Sequence, residues 1–139
     1  MPSSTRPRVL IADDHPGVLQ SLQRMLAFDC DVVGTVGDSG ALLESTARFQ
    51  PDVVIVDLNM PTVSGLEACR QLSRLHPAVK VILMSGADDT DIAEHALASG
   101  AAAFFVKFTV AQEQLVGTIR RAVELIAVEV IGVRLSSSL

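Results

Sequence analysis

Five short apolar runs recur along the chain, and each interval between them has room for one helix: Val9 to Ala12, Val32-Val33, Val53 to Val56, Val79 to Met84 and Ala103 to Val106. The intervening segments change period. Val18, Leu22, Met25 and Leu26 lie three or four residues apart, as do Leu66, Cys69, Leu72 and Leu75, then Ile92, Ala96 and Leu97, and finally Leu115, Ile119, Ala122, Val123 and Ile126. Such spacing gives each segment one apolar helical face. A further helix is expected over Ser39 to Arg48. Pro16 suits the first turn of the first helix, Ser64 the cap of the third, Asp88 or Thr90 that of the fourth and Thr109 that of the fifth, with Gly100 as a C-terminal stop. Strands that are apolar on both faces and alternate with helices predict a parallel sheet covered on both sides and joined by right-handed crossovers. The fold class expected is a doubly wound five-stranded α/β sandwich, and 139 residues suffice for one such domain.

Charge narrows the function. A formal net charge of −5, a pI near 5.0 and only one adjacent basic pair, Arg120-Arg121, argue against a nucleic-acid surface. The opening MPSSTRPR has no apolar core of a signal peptide, and no apolar run approaches the ~18 residues of a membrane span. A cytoplasmic protein with no membrane contact is expected. Cys30 and Cys69 lack metal-ligand spacing and read as small core or near-surface thiols.

Polar residues stand where the strands end. Asp13-Asp14 follow the first run, Asp57 the third, Ser85 the fourth and Lys107 the fifth. In a parallel sheet all strand C-termini share one edge, so three carboxylates, a hydroxyl and an ammonium converge there. Taken singly, each has an ordinary explanation as a cap, a turn or a solvated charge. Together, carboxylates that repel one another are tolerable ionised chiefly around a divalent cation. An all-oxygen set with room for water suits Mg²⁺ better than zinc. His15 has no partner histidine at ligand spacing and reads as a helix-start residue.

These residues resemble the receiver domain of two-component response regulators. Asp13-Asp14, the string Asp57-Leu58-Asn59-Met60-Pro61 with Gly65 after it, Ser85, and Phe104 with Lys107 three positions on occur in that family's order. Asp13-Asp14-His15-Pro16 is similar to the opening found in receivers of the helix-turn-helix, NarL/FixJ-like transcription factors. The resemblance implies the flavodoxin-like strand order 2-1-3-4-5 and a receiver over residues 8–128, with a tail at 1–7 and a tail or linker stub at 129–139. It implies Asp57 as acceptor of a phosphoryl group from a sensor histidine kinase, and Mg²⁺ held by the side chains of Asp14 and Asp57 and the backbone carbonyl of Asn59, with Asp13 acting mainly through metal-bound water. Lys107 is expected to pair first with Asp57 and then with the phosphoryl oxygens. Ser85 and Phe104 are expected to form the switch, in which the hydroxyl moves inward and the ring follows. Met60 and Pro61 are expected to shape the loop beside the acceptor, and Gly65 to permit close approach near the third helix.

Phe108 stands where many receivers have Pro, so no cis X–Pro bond is expected there. About a dozen residues follow the receiver, fewer than a helix-turn-helix domain needs, so this chain is expected either to act alone through protein contacts or to belong to a transcription factor. Val128, Val130, Ile131, Val133 and Leu135 extend past the expected fifth helix, which points to a homodimer through that helix and tail, or to docking on an output domain. Two other classes fit less well. A haloacid-dehalogenase-like phosphatase needs a second Asp two residues after the nucleophile, where Asn59 stands, and a flavodoxin-like cofactor binder needs a phosphate-cradling loop where Asp13-Asp14-His15-Pro16 presents negative charge. The expected protein is a phosphorylatable signalling domain and not a turnover enzyme.

Overall fold

The computed structural model describes residues 6–86, 90–107 and 111–124. Its order is β1 (Arg8–Ala12), α1 (Pro16–Leu26), β2 (Asp31–Val36), α2 (Ser39–Phe49), β3 (Val53–Asp57), α3 (Gly65–Leu75), β4 (Lys80–Ser85), α4 (Thr90–Ala98), β5 (Ala103–Val106) and α5 (Gln112–Val123). The strands are all parallel in the order β2-β1-β3-β4-β5. This is the doubly wound arrangement expected.

Burial follows from the two-residue repeat of a strand. Val9, Ile11, Val53, Ile55, Ile82 and Met84 join α1 and α5 in one core, while Leu10, Ala12, Val54, Val56, Val81 and Leu83 join α2, α3 and α4 in the other. Central β3 is buried at every position, whereas β2 at the edge is mostly half-buried. That difference explains why β3 reads as an unbroken apolar run and β2 does not. No helix among the described residues is long and apolar enough to cross a membrane.

The helix ends hold several details. Pro16 opens α1, Ser64 Oγ accepts from the Glu67 amide to cap α3, and Gly100 leaves α4 at φ 104°. α2 starts at Ser39 as expected and runs one residue further, capped by Asp38, whose side chain accepts from the Ala41 amide at 2.9 Å. α5 corrects the expected start. Its N-cap is Ala111, two residues beyond Thr109, because the Gln114 side chain reaches back to accept the Ala111 amide at 3.1 Å. Thr90 is the first residue of α4 rather than its cap. Asp88, Phe108, Thr109, Ile126 and the tail lie outside the described residues. Cys30 and Cys69 are both buried and free, and burial pushes both thiols up.

Candidate functional site

Asp13 and Lys107 stand just past the ends of β1 and β5, and Asp57 is the last residue of β3. The Asp13 amide donates to Val36 O, the Leu58 amide just after Asp57 to Met84 O, and the Lys107 amide to Ser85 O. Asp13 continues the alternation of Val9 and Ile11, and Asp57 that of Val53 and Ile55, so both carboxylates enter the sheet edge on the α1 and α5 side. Both are buried completely or almost so.

Lys107 Nζ sits 2.7 Å from Asp13 Oδ2 and 3.1 Å from Asp57 Oδ2. At these distances the Lys107 ammonium is the partner of both buried oxygens. Burial, and then the neighbouring Asp13 charge, hold the Asp57 carboxyl above its ordinary range despite Lys107. For Lys107, burial acts downward, but hydrogen bonding and charge from Asp13 and Asp57 outweigh it and leave the ammonium raised. The expected pairing of Lys107 with Asp57 is present, and Asp13 shares it at the shorter distance. The two adjacent aspartates differ: Asp13 is buried, while the Asp14 side chain is 37% exposed.

The other Asp13 oxygen, Oδ1, accepts from the His15 amide at 2.8 Å and lies 2.8 Å from His15 Nδ1. Asp14 Oδ1 is 3.0 Å from the same nitrogen. With carboxylate oxygens on both sides, Nδ1 carries the ring hydrogen. Ligand atoms of Asp13, Asp14, His15 and Asp57 all fall within 4.8 Å of one another. Three carboxylates gather at this edge and one ammonium pairs with two of them, an excess of two negative charges if all are ionised. This donor set fits a divalent cation.

The loop after Asp57 packs tightly. Asn59 donates its amide to Asp57 Oδ1 at 3.3 Å, Met60 is buried in the α2 to α4 core, and the Gly65 amide donates to Leu58 O. A Cβ on Gly65 would lie 2.5 Å from Asp57 O and 2.7 Å from Leu58 Cα, so only glycine brings α3 this close. Ser85 is buried and pairs in register with Val106, and Phe104 pairs with Leu83. Ser85 and Phe104 therefore share the face opposite Asp57, with the half-buried Phe104 ring packed on the α2 to α4 core.

Sequence reasoning missed Ser39. Its hydroxyl donates to Val63 O at 2.6 Å and approaches Pro61 O at 3.2 Å, so it holds both neighbours of Thr62, which has φ 78°. The Asp38-Ser39 pair was the available signal, as a helix start.

The sequence profile of the response regulator receiver domain matches residues 9–120. The chain belongs to this family. Among curated relatives, the receiver is 35% identical over 102 residues to the transcriptional regulatory protein DegU of Brevibacillus brevis, covering 72% of this chain and 43% of DegU. It is 41% identical over 103 residues to the response regulator GacA of Pseudomonas viridiflava, covering 72% of this chain and 48% of GacA. The chain thus spans about half the length of the curated relatives it matches. A solved receiver domain of NarL from Mycobacterium tuberculosis superposes with a TM-score of 0.81 at 28% identity, covering 87% of this chain and 98% of that one. The subgroup expected from Asp13-Asp14-His15-Pro16 is the one these relatives represent.

Proposed function

We propose that this receiver takes a phosphoryl group on Asp57 from a phosphohistidine of a sensor kinase, in a Mg²⁺-dependent reaction, and that the acyl phosphate sets an output. The observation that carries the reading is the Lys107 ammonium at ion-pair distance from both Asp13 and Asp57 in an otherwise acidic, buried pocket. An Asp57 carboxylate oxygen attacks phosphorus in line, the P–N bond breaks, and the imidazole leaves with the electron pair. Lys107 neutralises the acceptor beforehand and stays beside the phosphoryl oxygens afterwards. Asp14, Asp57 and the Asn59 carbonyl would hold Mg²⁺ and Asp13 would act through its bound water; the cation supplies charge neutralisation on the transferring group.

Ser85 provides a hydroxyl for a phosphoryl oxygen, and Phe104, two positions along the same sheet face on the next strand, moves into the space this opens. The receiver unit runs over residues 8–128. Its output is transcriptional, as the name of the DegU relative supports, and the setting is the cytoplasm, where such kinases present their phosphohistidine. Asp14→Ala should abolish both Mg²⁺ binding and phosphorylation by a small phosphodonor, and Lys107→Ala should keep metal binding while impairing the switch. Mg²⁺ binding by Asp14→Ala at the parent's affinity would overturn the ligand assignment.

A further inference from the structure

The stretch from Asp57 to Gly65 holds a turn that its own sequence does not favour. The Val63 amide donates to Pro61 O at 2.9 Å across Thr62, which has φ 78°. A hydrogen bond from residue i+2 back to residue i with a positive φ between them is a γ-turn of the strained kind, and a β-branched residue is a poor occupant of its centre. Thr62 is exposed, so packing of its side chain does not hold it there. What faces the turn from another element is Ser39, the first residue of α2, which is 2% exposed. Its hydroxyl donates to Val63 O at 2.6 Å and lies 3.2 Å from Pro61 O, so one buried group holds the residues on both sides of the strained one.

We propose that Ser39 is a positioning residue for phosphoryl transfer: by holding the turn from Pro61 to Val63 closed, it fixes the backbone of Asn59 beside Asp57. The inference rests on the reading of Asp57 as the phosphoryl acceptor. Asn59 precedes the turn by two residues, its amide donates to Asp57 Oδ1 at 3.3 Å, and its carbonyl belongs to the set proposed for Mg²⁺. Released from Ser39, Thr62 relaxes toward negative φ, and a change of φ at one residue swings the chain on either side of it. On the α3 side Gly65 already lies against Asp57 O and Leu58 Cα, which leaves no room for an inward shift. The displacement therefore falls on the Asn59 side. Met60, between Asn59 and the turn, is buried in the α2 to α4 core, so a shift is passed along an anchored backbone rather than lost in a slack loop. An acceptor aimed at both phosphorus and a cation tolerates little misplacement. Ser39 acts through the turn and not by contact with the reacting atoms.

The test is a pair of comparisons in the full chain: Ser39→Ala against the parent, and the same change in a Thr62→Gly background, where a positive φ carries no penalty. Phosphorylation by phosphoramidate, whose P–N bond is that of phosphohistidine, is followed by intact mass over ranges of phosphoramidate and Mg²⁺, at a temperature where circular dichroism shows all four proteins folded. With Thr62 in place, Ser39→Ala is expected to lower the rate at saturating phosphoramidate by about tenfold and to raise the Mg²⁺ concentration for half-maximal rate, with half-saturation by phosphoramidate unchanged. The Asn59 amide resonance should shift before any donor is added. In the Thr62→Gly background the same change should cost less than about twofold, because the turn then stays closed without its clamp. A loss of stability alone would alter none of these rates in folded protein and would not depend on residue 62. Equal rates for Ser39→Ala and the parent, or the same loss in both backgrounds, would overturn the role of Ser39. A parent that phosphoramidate does not label would instead overturn the acceptor reading on which the inference rests.

Discussion

At the scale of single residues, Asp57 and Lys107 make opposite predictions about stability. The folded chain holds the Asp57 proton above its ordinary value of 3.8, because of burial first and the Asp13 charge second. The fold thus binds more protons than the unfolded chain just above pH 3.8, so the Asp57 contribution to stability is lost as pH rises through its raised pKa. Asp57→Asn, with no charge to bury, should lack this slope and be more stable than the parent by about 1–2 kcal/mol at pH 7 without metal. Urea unfolding across this pH range in a chelator measures it, and identical slopes in the two proteins would count against a strained carboxylate. Lys107→Ala leaves two buried carboxylates without their counter-ion and should lose about 3 kcal/mol or more, part of which returns on adding Mg²⁺. A variant as stable as the parent in chelator would show that the ammonium is not what holds these charges together.

At the scale of elements, the helix that follows Asp57 is set by Gly65. Gly65→Ala drives a methyl into the Asp57 carbonyl, so α3 must retreat; a loss of about 2–4 kcal/mol in urea unfolding is expected, together with slower phosphorylation. Ser39→Ala frees the carbonyls of Pro61 and Val63 on either side of Thr62 and should lose about 1–3 kcal/mol, with faster amide exchange in that loop. The central strands were legible in the sequence because β1, β3 and β4 are buried on both faces and admit few polar residues. β2 was legible only as Val32-Val33, since an edge strand is half-wet and tolerates Asp31 and Thr35. Ser64 was legible as a cap because an apolar helical period follows it, whereas Asp38 precedes Ser39-Gly40 and reads equally as a loop. The start of α5 was misplaced at Thr109 because a hydroxyl is the stronger cap by composition, and the back-bond from Gln114 depends on geometry that composition does not carry. The contacts from Ser39 to Pro61 and Val63 cross 22 and 24 residues of chain and had no local signature.

At the scale of the whole molecule, the sheet edge gathers residues from the ends of β1, β3, β4 and β5, and that gathering was legible because parallel strands share one C-terminal edge. What the sequence did not show was the division of labour within Asp13-Asp14: alternation along β1 buries the first, while the second stays partly exposed and close to His15. Self-association belongs to this scale as well. Leu115, Ile119 and Ala122 of α5 are buried on the sheet, and Val123 at its end is exposed. If the apolar residues from Val128 to Leu135 extend that surface, sedimentation of the full chain should show a dimer, and truncation after Val128 should give a monomer that still accepts phosphate; a full-length monomer at high concentration, phosphorylated or not, would contradict it. The central claim is that Asp57 is the acceptor. Intact-mass measurement after incubation with a small phosphodonor and Mg²⁺ tests it most directly: one phosphoryl group, removed by hydroxylamine, is predicted for the parent and none for Asp57→Asn, whereas full labelling of Asp57→Asn would contradict the assignment.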